Sequence, residues 1–90
     1  MEYNFRKIER VVKGFSNHWR LRIIELLKRQ PELYVAEIAE LLNGDFKNIS
    51  AHLGKLAIAG IVIKRNEGNI IRHKLTTRGD AILKFVRIIE

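Results

Sequence analysis

Cysteine is absent from this 90-residue chain, which removes disulfides, thiolate metal sites and cysteine nucleophiles together. One proline and six glycines are too few for a flexible linker or a low-complexity segment. No apolar run approaches the roughly 20 residues that span a bilayer, and no signal-peptide pattern opens the chain. A soluble, cytoplasmic protein is expected. Acidic residues are the minority, 10 Asp plus Glu against 17 Lys plus Arg, for a net charge of +7 and a pI near 10.2. That balance favours a polyanion as partner, and without a spanning segment nucleic acid is preferred over a membrane surface.

Sets of catalytic residues are missing too. No paired carboxylates, Ser/His/Asp set, phosphate-cradling glycine loop or metal cluster stands at usable spacing. His18, His52 and His73 fall on three different elements. The expectation is no enzyme, no metal and no cofactor. Ninety residues make a single domain, 1–90, whose core is marginal unless a partner covers more apolar surface, so oligomerisation is expected.

What the chain does have is concentrated between Asp45 and Val62. Asp45 can accept a hydrogen bond from a first-turn amide, and Asn43-Gly44 before it supplies a turn. At about 100° per residue Ile49, Leu53, Leu56, Ala57 and Gly60 share one side, while Lys47, Asn48, Ala51, Gly54, Lys55 and Ile58 share the other. The second side carries lysines for phosphate, an amide suited to adenine, and small residues that permit close approach. A helix with two lysines outside is also the pattern of a merely solvated face. Its neighbours decide between these.

Glu2 to Lys13 carries Phe5, Ile8 and Val12 at helical spacing, and Gly14 interrupts. Ser16 or Asn17 can cap a second helix with Leu21, Ile24 and Leu27 on one face, which Pro31 ends. Glu32 to Val35 is a connector or one small strand. Ala36 to Leu42 makes a third helix with Ile38, Leu41 and Leu42 inward, and the turn then leads into the Asp45 helix. Two short helices joined this way form a helix-turn-helix, whose second member reads DNA.

After Gly60 the period becomes extended. Ile61 to Arg65 and Ile70 to Thr76 flank the turn Asn66-Glu67-Gly68-Asn69, giving a two-stranded wing with Lys64, Arg65, Arg72 and Lys74 on its tip and flanks. Such charges can reach phosphates or a minor groove, or merely keep an exposed edge from aggregating. Thr77 to Ile89 is a last helix with Ala81, Ile82, Phe85, Val86 and Ile89 in a broad stripe. The fold expected is mainly α (α+β), a winged helix-turn-helix of about five helices with a two-stranded β wing.

Two segments carry a resemblance. Phe15 to Leu27, reading F-S-N-H-W-R-L-R-I-I-E-L-L, is similar to the opening signature of the ArsR-type prokaryotic repressors. Ile49 to Val62, reading I-S-A-H-L-G-K-L-A-I-A-G-I-V, resembles their second signature. The likeness covers roughly residues 15–79, and Leu75-Thr76-Thr77-Arg78-Gly79 is shared with MarR- and PadR-type regulators. It implies that Arg20 holds the second helix to the body of the domain and that His52 packs rather than ligates. Trp19 near its helix start reads as a core or interface residue. Metal-sensing members carry a cysteine pair where this chain has Glu32 to Ile38, and histidine and carboxylate ligands in the last helix, which here offers Asp80 and no histidine. Phe46 replaces the family's usual polar residue and is assigned to packing, with contact to a thymine methyl as the alternative.

The expectation is a homodimeric, sequence-specific regulator of double-stranded DNA, a repressor acting on an inverted repeat. Lys47, Asn48, Ser50, Ala51 and Lys55 are the reading-helix candidates; Lys64, Arg65, Asn69 and Arg72 are those of the wing. Phe5, Ile8, Val12, Phe85, Val86 and Ile89, on terminal helices 2–13 and 77–89, are the dimer-interface candidates. The competing reading is a winged helix serving as a protein-interaction module in a transcription or DNA-processing complex. The sequence names no effector molecule.

Overall fold

The computed structural model describes residues 2–90, and among these the order is α1 (Phe5–Phe15), α2 (His18–Arg29), α3 (Val35–Leu42), α4 (Phe46–Ile58), β1 (Val62–Glu67), β2 (Ile70–Leu75) and α5 (Thr77–Ile89). Five helices with a two-stranded antiparallel hairpin form a winged helix-turn-helix. Side-chain caps open most of the helices. Asn4 accepts from Lys7 N, Asn17 from Trp19 N and Arg20 N, Asp45 from Asn48 N, and Thr76 from Gly79 N. Each satisfies amides that a helix start leaves without partners. In α3 the Glu37 carboxylate instead reaches back to accept from Tyr34 N at 3.1 Å.

The core joins Ile23, Ile24, Leu26 and Leu27 of α2 to Ile38, Ala39 and Leu42 of α3 and Ile49, Leu53 and Leu56 of α4. Ile61 and Val62 from the hairpin's start and Ile82 and Leu83 of α5 close it. The buried stripe of α2 is wider than the expected Leu21, Ile24 and Leu27, because α3, α4, α5 and β2 all pack on this helix. Leu21 itself is only half-buried.

Other boundaries and burials differ from expectation. Helix α1 starts at Phe5 rather than Glu2 and runs through Gly14, which does not interrupt it. A Cβ on Gly14 would lie 2.5 Å from the Ala59 Cβ, so glycine serves there as the seat of α4's end against α1. Leu41 is exposed rather than inward, since it lies one 100° step before Leu42 and twice that from Ala39, off the core face. Ala81 is exposed as well. Phe46, assigned to packing, is 58% exposed. Helical side chains lean toward the N-terminus, so the first residue of α4 projects past the helix start, where no element waits to cover it.

The turn between α3 and α4 divides its labour. Asn43 takes the left-handed conformation, φ 54°, that ends α3. Gly44 supplies room, because a Cβ there would meet Ile49 and Trp19 side-chain atoms at 3.0 Å. In the hairpin Glu67 pairs with Ile70, leaving a two-residue loop rather than the expected four-residue turn. Gly68, with φ 62°, occupies its first central position, where a type II′ turn needs glycine. Thr76 caps α5 instead of ending β2.

The connector from α2 to α3 does contribute a strand-like contact. Leu33 bridges His73 on β2: His73 N donates to Leu33 O and Glu32 N donates to His73 O, both at 2.9 Å.

Candidate nucleic-acid interface

Helix α4 is held from behind and left open in front. Ile49, Leu53 and Leu56 are buried, while Lys47, Asn48, Ser50, Ala51 and Lys55 are exposed. None of these five side chains is hydrogen-bonded among the described residues, so the outer face is free. Phe46 stands beside it at the helix start and Ile58, 90% exposed, at its end.

Behind α4 sits a polar clamp. Arg20, only 8% exposed, donates from Nη1 to His52 Nδ1 at 3.1 Å and from Nη2 to the Lys13 carbonyl at 3.5 Å. A guanidinium can only donate, so His52 Nδ1 is the acceptor and the ring is neutral. Burial, followed by the positive charges of Arg20, Lys55 and His18, pushes the His52 pKa down. Arg20 and His52 thus have the packing role that the resemblance implied. Trp19 is half-buried against the core, with Arg22 stacked 4.5 Å over its ring and donating to Leu42 O at 3.1 Å.

The wing is less free than its sequence suggests. Arg65 pairs with Glu32 at 3.0 Å and Glu67 at 3.1 Å, and Arg72 pairs with Glu67 at 3.1 Å while donating to the Glu32 carbonyl. Hydrogen bonds from these arginines hold both carboxyls below their usual range and raise Arg65. Two arginines against two carboxylates leave that patch with no net charge. Lys64, Lys74 and Asn69 are exposed and make no ion pair or side-chain hydrogen bond among the described residues. Glu32, with φ 72°, escaped sequence reasoning because its partner Arg65 is 33 residues away.

At the wing's base His73 is 1% exposed and its Nδ1 lies 3.0 Å from Leu33 O. A carbonyl can only accept, so Nδ1 carries the proton. Burial lowers the His73 pKa, partly offset by that backbone bond and reinforced by Lys64.

A second exposed surface is apolar. Phe5, Ile8 and Val12 on α1 and Phe85 and Ile89 on α5 are between 43% and 73% exposed. Val86 is half-buried against the core, so only part of it is available. Ile88, 81% exposed, and Tyr3, 68% exposed, extend the surface. Ile88 could have been found as the neighbour of Phe85 three residues on. Asp80 is paired with Lys28 at 3.1 Å, and no group of three or more metal-ligating side chains lies together among the described residues. No described helix is long and apolar enough to cross a membrane.

Residues 18–64, from the start of α2 into the wing, match the bacterial regulatory protein, arsR family. The chain belongs to the ArsR family. This is a family of regulatory proteins, not of enzymes. A Halobacterium salinarum protein named for repression of an arsenical resistance operon is 36% identical over 74 residues, 81% of this chain. The chain spans only 57% of that relative's length. HlyU from Vibrio cholerae superimposes with a TM-score of 0.83 at 29% identity, covering 99% of this chain and 97% of its own. The homodimeric winged helix-turn-helix DNA-binding domain of a possible ArsR-family transcriptional regulator from Mycobacterium bovis gives 0.85 at 27% identity, covering 94% and 79%.

Proposed function

We propose that this chain is a homodimeric transcriptional regulator, a repressor that binds double-stranded DNA with α4 in the major groove and the wing beside it. The observation that carries this reading is the outer face of α4, where Lys47, Asn48, Ser50, Ala51 and Lys55 stand exposed and unpartnered on a helix fixed by a buried inner face. Lysines at both ends suit flanking phosphates, and Asn48 offers the paired donor and acceptor that adenine matches. Phe46 joins the set, since its exposed ring suits a thymine methyl. On the wing Lys64 and Asn69 are free to engage DNA directly, whereas Arg65 and Arg72 do so only by exchanging carboxylates for phosphates.

The exposed stripe on α1 and α5 is assigned to the dimer interface. Family membership and the homodimeric relative from Mycobacterium bovis support that assignment. Two-fold symmetry sets two reading helices about 34 Å apart and calls for an inverted repeat. Soft metalloids need thiolates that this chain lacks, so the relative's link to arsenical resistance does not carry over through that chemistry.

Selection from random duplex followed by sequencing tests the whole reading, with an enriched inverted repeat as the expected outcome. Low-salt anisotropy with random duplex separates it from a protein-interaction module. Absence of binding there, despite the +7 charge, would favour the module.

A further inference from the structure

A cavity of about 550 Å³ opens between α1 and the C-terminal end of α4, next to the start of α5. Among the described residues six cations line it, Lys7, Arg10, Lys13, Arg20, Lys55 and Arg78, and no carboxylate does. Lys13 is turned partly aside to Glu9 at 3.4 Å, and Arg78 donates to the Ala59 carbonyl at 2.8 Å. The others have no ionic partner among the described residues.

Arg20 is the unusual member. The residue is more than nine-tenths buried, its two hydrogen bonds go to a neutral imidazole and a carbonyl, and its Nε has no partner among the described residues. A buried cation with neither a counter-charge nor full hydrogen bonding is costly, and an anion in the adjoining cavity would supply the counter-charge. Val11, Gly14 and Ala59 give the same cavity an apolar wall. Its volume suits a small molecule.

We propose that this cavity binds a small organic anion, a phosphate or carboxylate head on an apolar body, and that occupancy weakens DNA binding. The head lies among Arg10, Arg20 and Lys55; the body lies against Val11 and Ala59. The coupling follows from shared residues, because Lys55 belongs to both the cavity and the proposed reading face, and Arg20 holds α4 through His52. This second clause rests on the DNA-binding reading above, whereas anion binding does not. Phe5, Ile8 and Val12 project from the opposite side of α1, so dimerisation through them leaves the cavity open.

Phenyl phosphate is a suitable probe, with inorganic phosphate as the head alone. Titration of the full chain without DNA, followed by calorimetry and by amide shifts, should show saturable binding, tighter for phenyl phosphate than for inorganic phosphate. Arg10→Glu should weaken it more than about tenfold, at least the loss of one charge-assisted hydrogen bond, and Lys7→Glu, which reverses a charge on the cavity wall, should weaken it too, each at an exposed position and with Tm unchanged. Arg20→Lys should weaken it as well. No saturable binding, or binding unmoved by Arg10→Glu and Lys7→Glu, overturns the site. Duplex affinity is measured separately. Saturating probe should lower it about five-fold or more, and an unchanged affinity overturns the coupling. If Arg10→Glu weakens duplex binding without probe as much as Lys55→Ala does, the cavity holds a backbone phosphate and the small-ligand proposal fails. Failure of the DNA-binding reading would show instead as no duplex binding by the unmodified chain, with probe binding intact.

Discussion

Gly79 and Gly54 both lie in helices, yet replacing each with alanine should move stability in opposite directions. Helix propensity alone favours Ala over Gly by up to about 1 kcal/mol at either site. At Gly54, on the outer part of α4, a Cβ would meet nothing within 4 Å, so the gain is realised. At Gly79, in the first turn of α5, the Cβ would lie 2.6 Å from the Ile61 carbonyl oxygen and 3.0 Å from a Leu75 methyl. That oxygen cannot swing away freely, because it already accepts from Thr76 N at 3.1 Å, and the Thr76 hydroxyl, which donates to the neighbouring Gly60 O at 2.6 Å, packs against it. Helix α5 must therefore shift by about half an ångström, loosening the cap that Thr76 makes to Gly79 N. Overpacking of this kind costs about 1–3 kcal/mol, which exceeds the propensity gain. Subtracting the full propensity gain leaves a net destabilisation of up to about 2 kcal/mol, a Tm lower by up to roughly 15 °C for a domain this small. Gly54→Ala should raise Tm by about 2–8 °C on the same scale. Thermal melts of the three proteins at one protomer concentration make the comparison, since Tm in a dimer depends on concentration. Two shifts of the same sign would refute the steric account of why α5 carries glycine in its first turn.

Asn48→Ala should relax sequence preference in a selection experiment while leaving the salt slope nearly unchanged, and Lys55→Ala should weaken all duplexes and flatten the slope by about 0.9, one phosphate contact. Glu67→Gln should do the reverse, steepening the slope of log affinity against log salt by about 0.9 as Arg72 loses its carboxylate partner, while Arg65 keeps Glu32; a slope equal to that of the unmodified chain would mean that Arg72 does not touch DNA. Asp45→Ala removes the cap on Asn48 N and should cost about 1 kcal/mol in denaturant unfolding. His52 and His73 have folded-state pKa values below 6.5, so the unfolded chain binds more protons as pH drops from there. Their stability contribution is complete above about pH 6.5 and is lost as pH falls through the depressed folded values; urea midpoints between pH 5 and 8 should follow that course, and a flat profile would argue against buried neutral imidazoles.

The order of elements and the inner and outer faces of α4 were legible because they rest on local periodicity and on caps such as Asn17 and Asp45. Phe46 was misplaced because a helical wheel has no ends, and it is the end of α4 that exposes this ring. Leu41 failed on a two-turn helix, where a single residue step decides the face. The wing's cations could be read, but not their partners. Glu32 reaches Arg65 only after the chain has passed through two helices, and a list of charges cannot distinguish a free lysine at position 64 from an arginine already neutralised at 65.

The bridge between Leu33 and His73 bears on how any operator must be built. A hairpin attached to a helical body by its two strand ends alone could tilt and search for the backbone. Here the connector between α2 and α3 grips the base of β2 through two backbone hydrogen bonds, with the His73 imidazole buried beside them. The distance from the reading helix to the wing tip is thereby a property of the protein. If α4 and the wing engage DNA as proposed, differences in spacing between their two contacts fall to the duplex to absorb, by bending or by a change in groove width. On the proposed reading, flexible steps flanking the half-sites become part of the recognition sequence even where no side chain meets them.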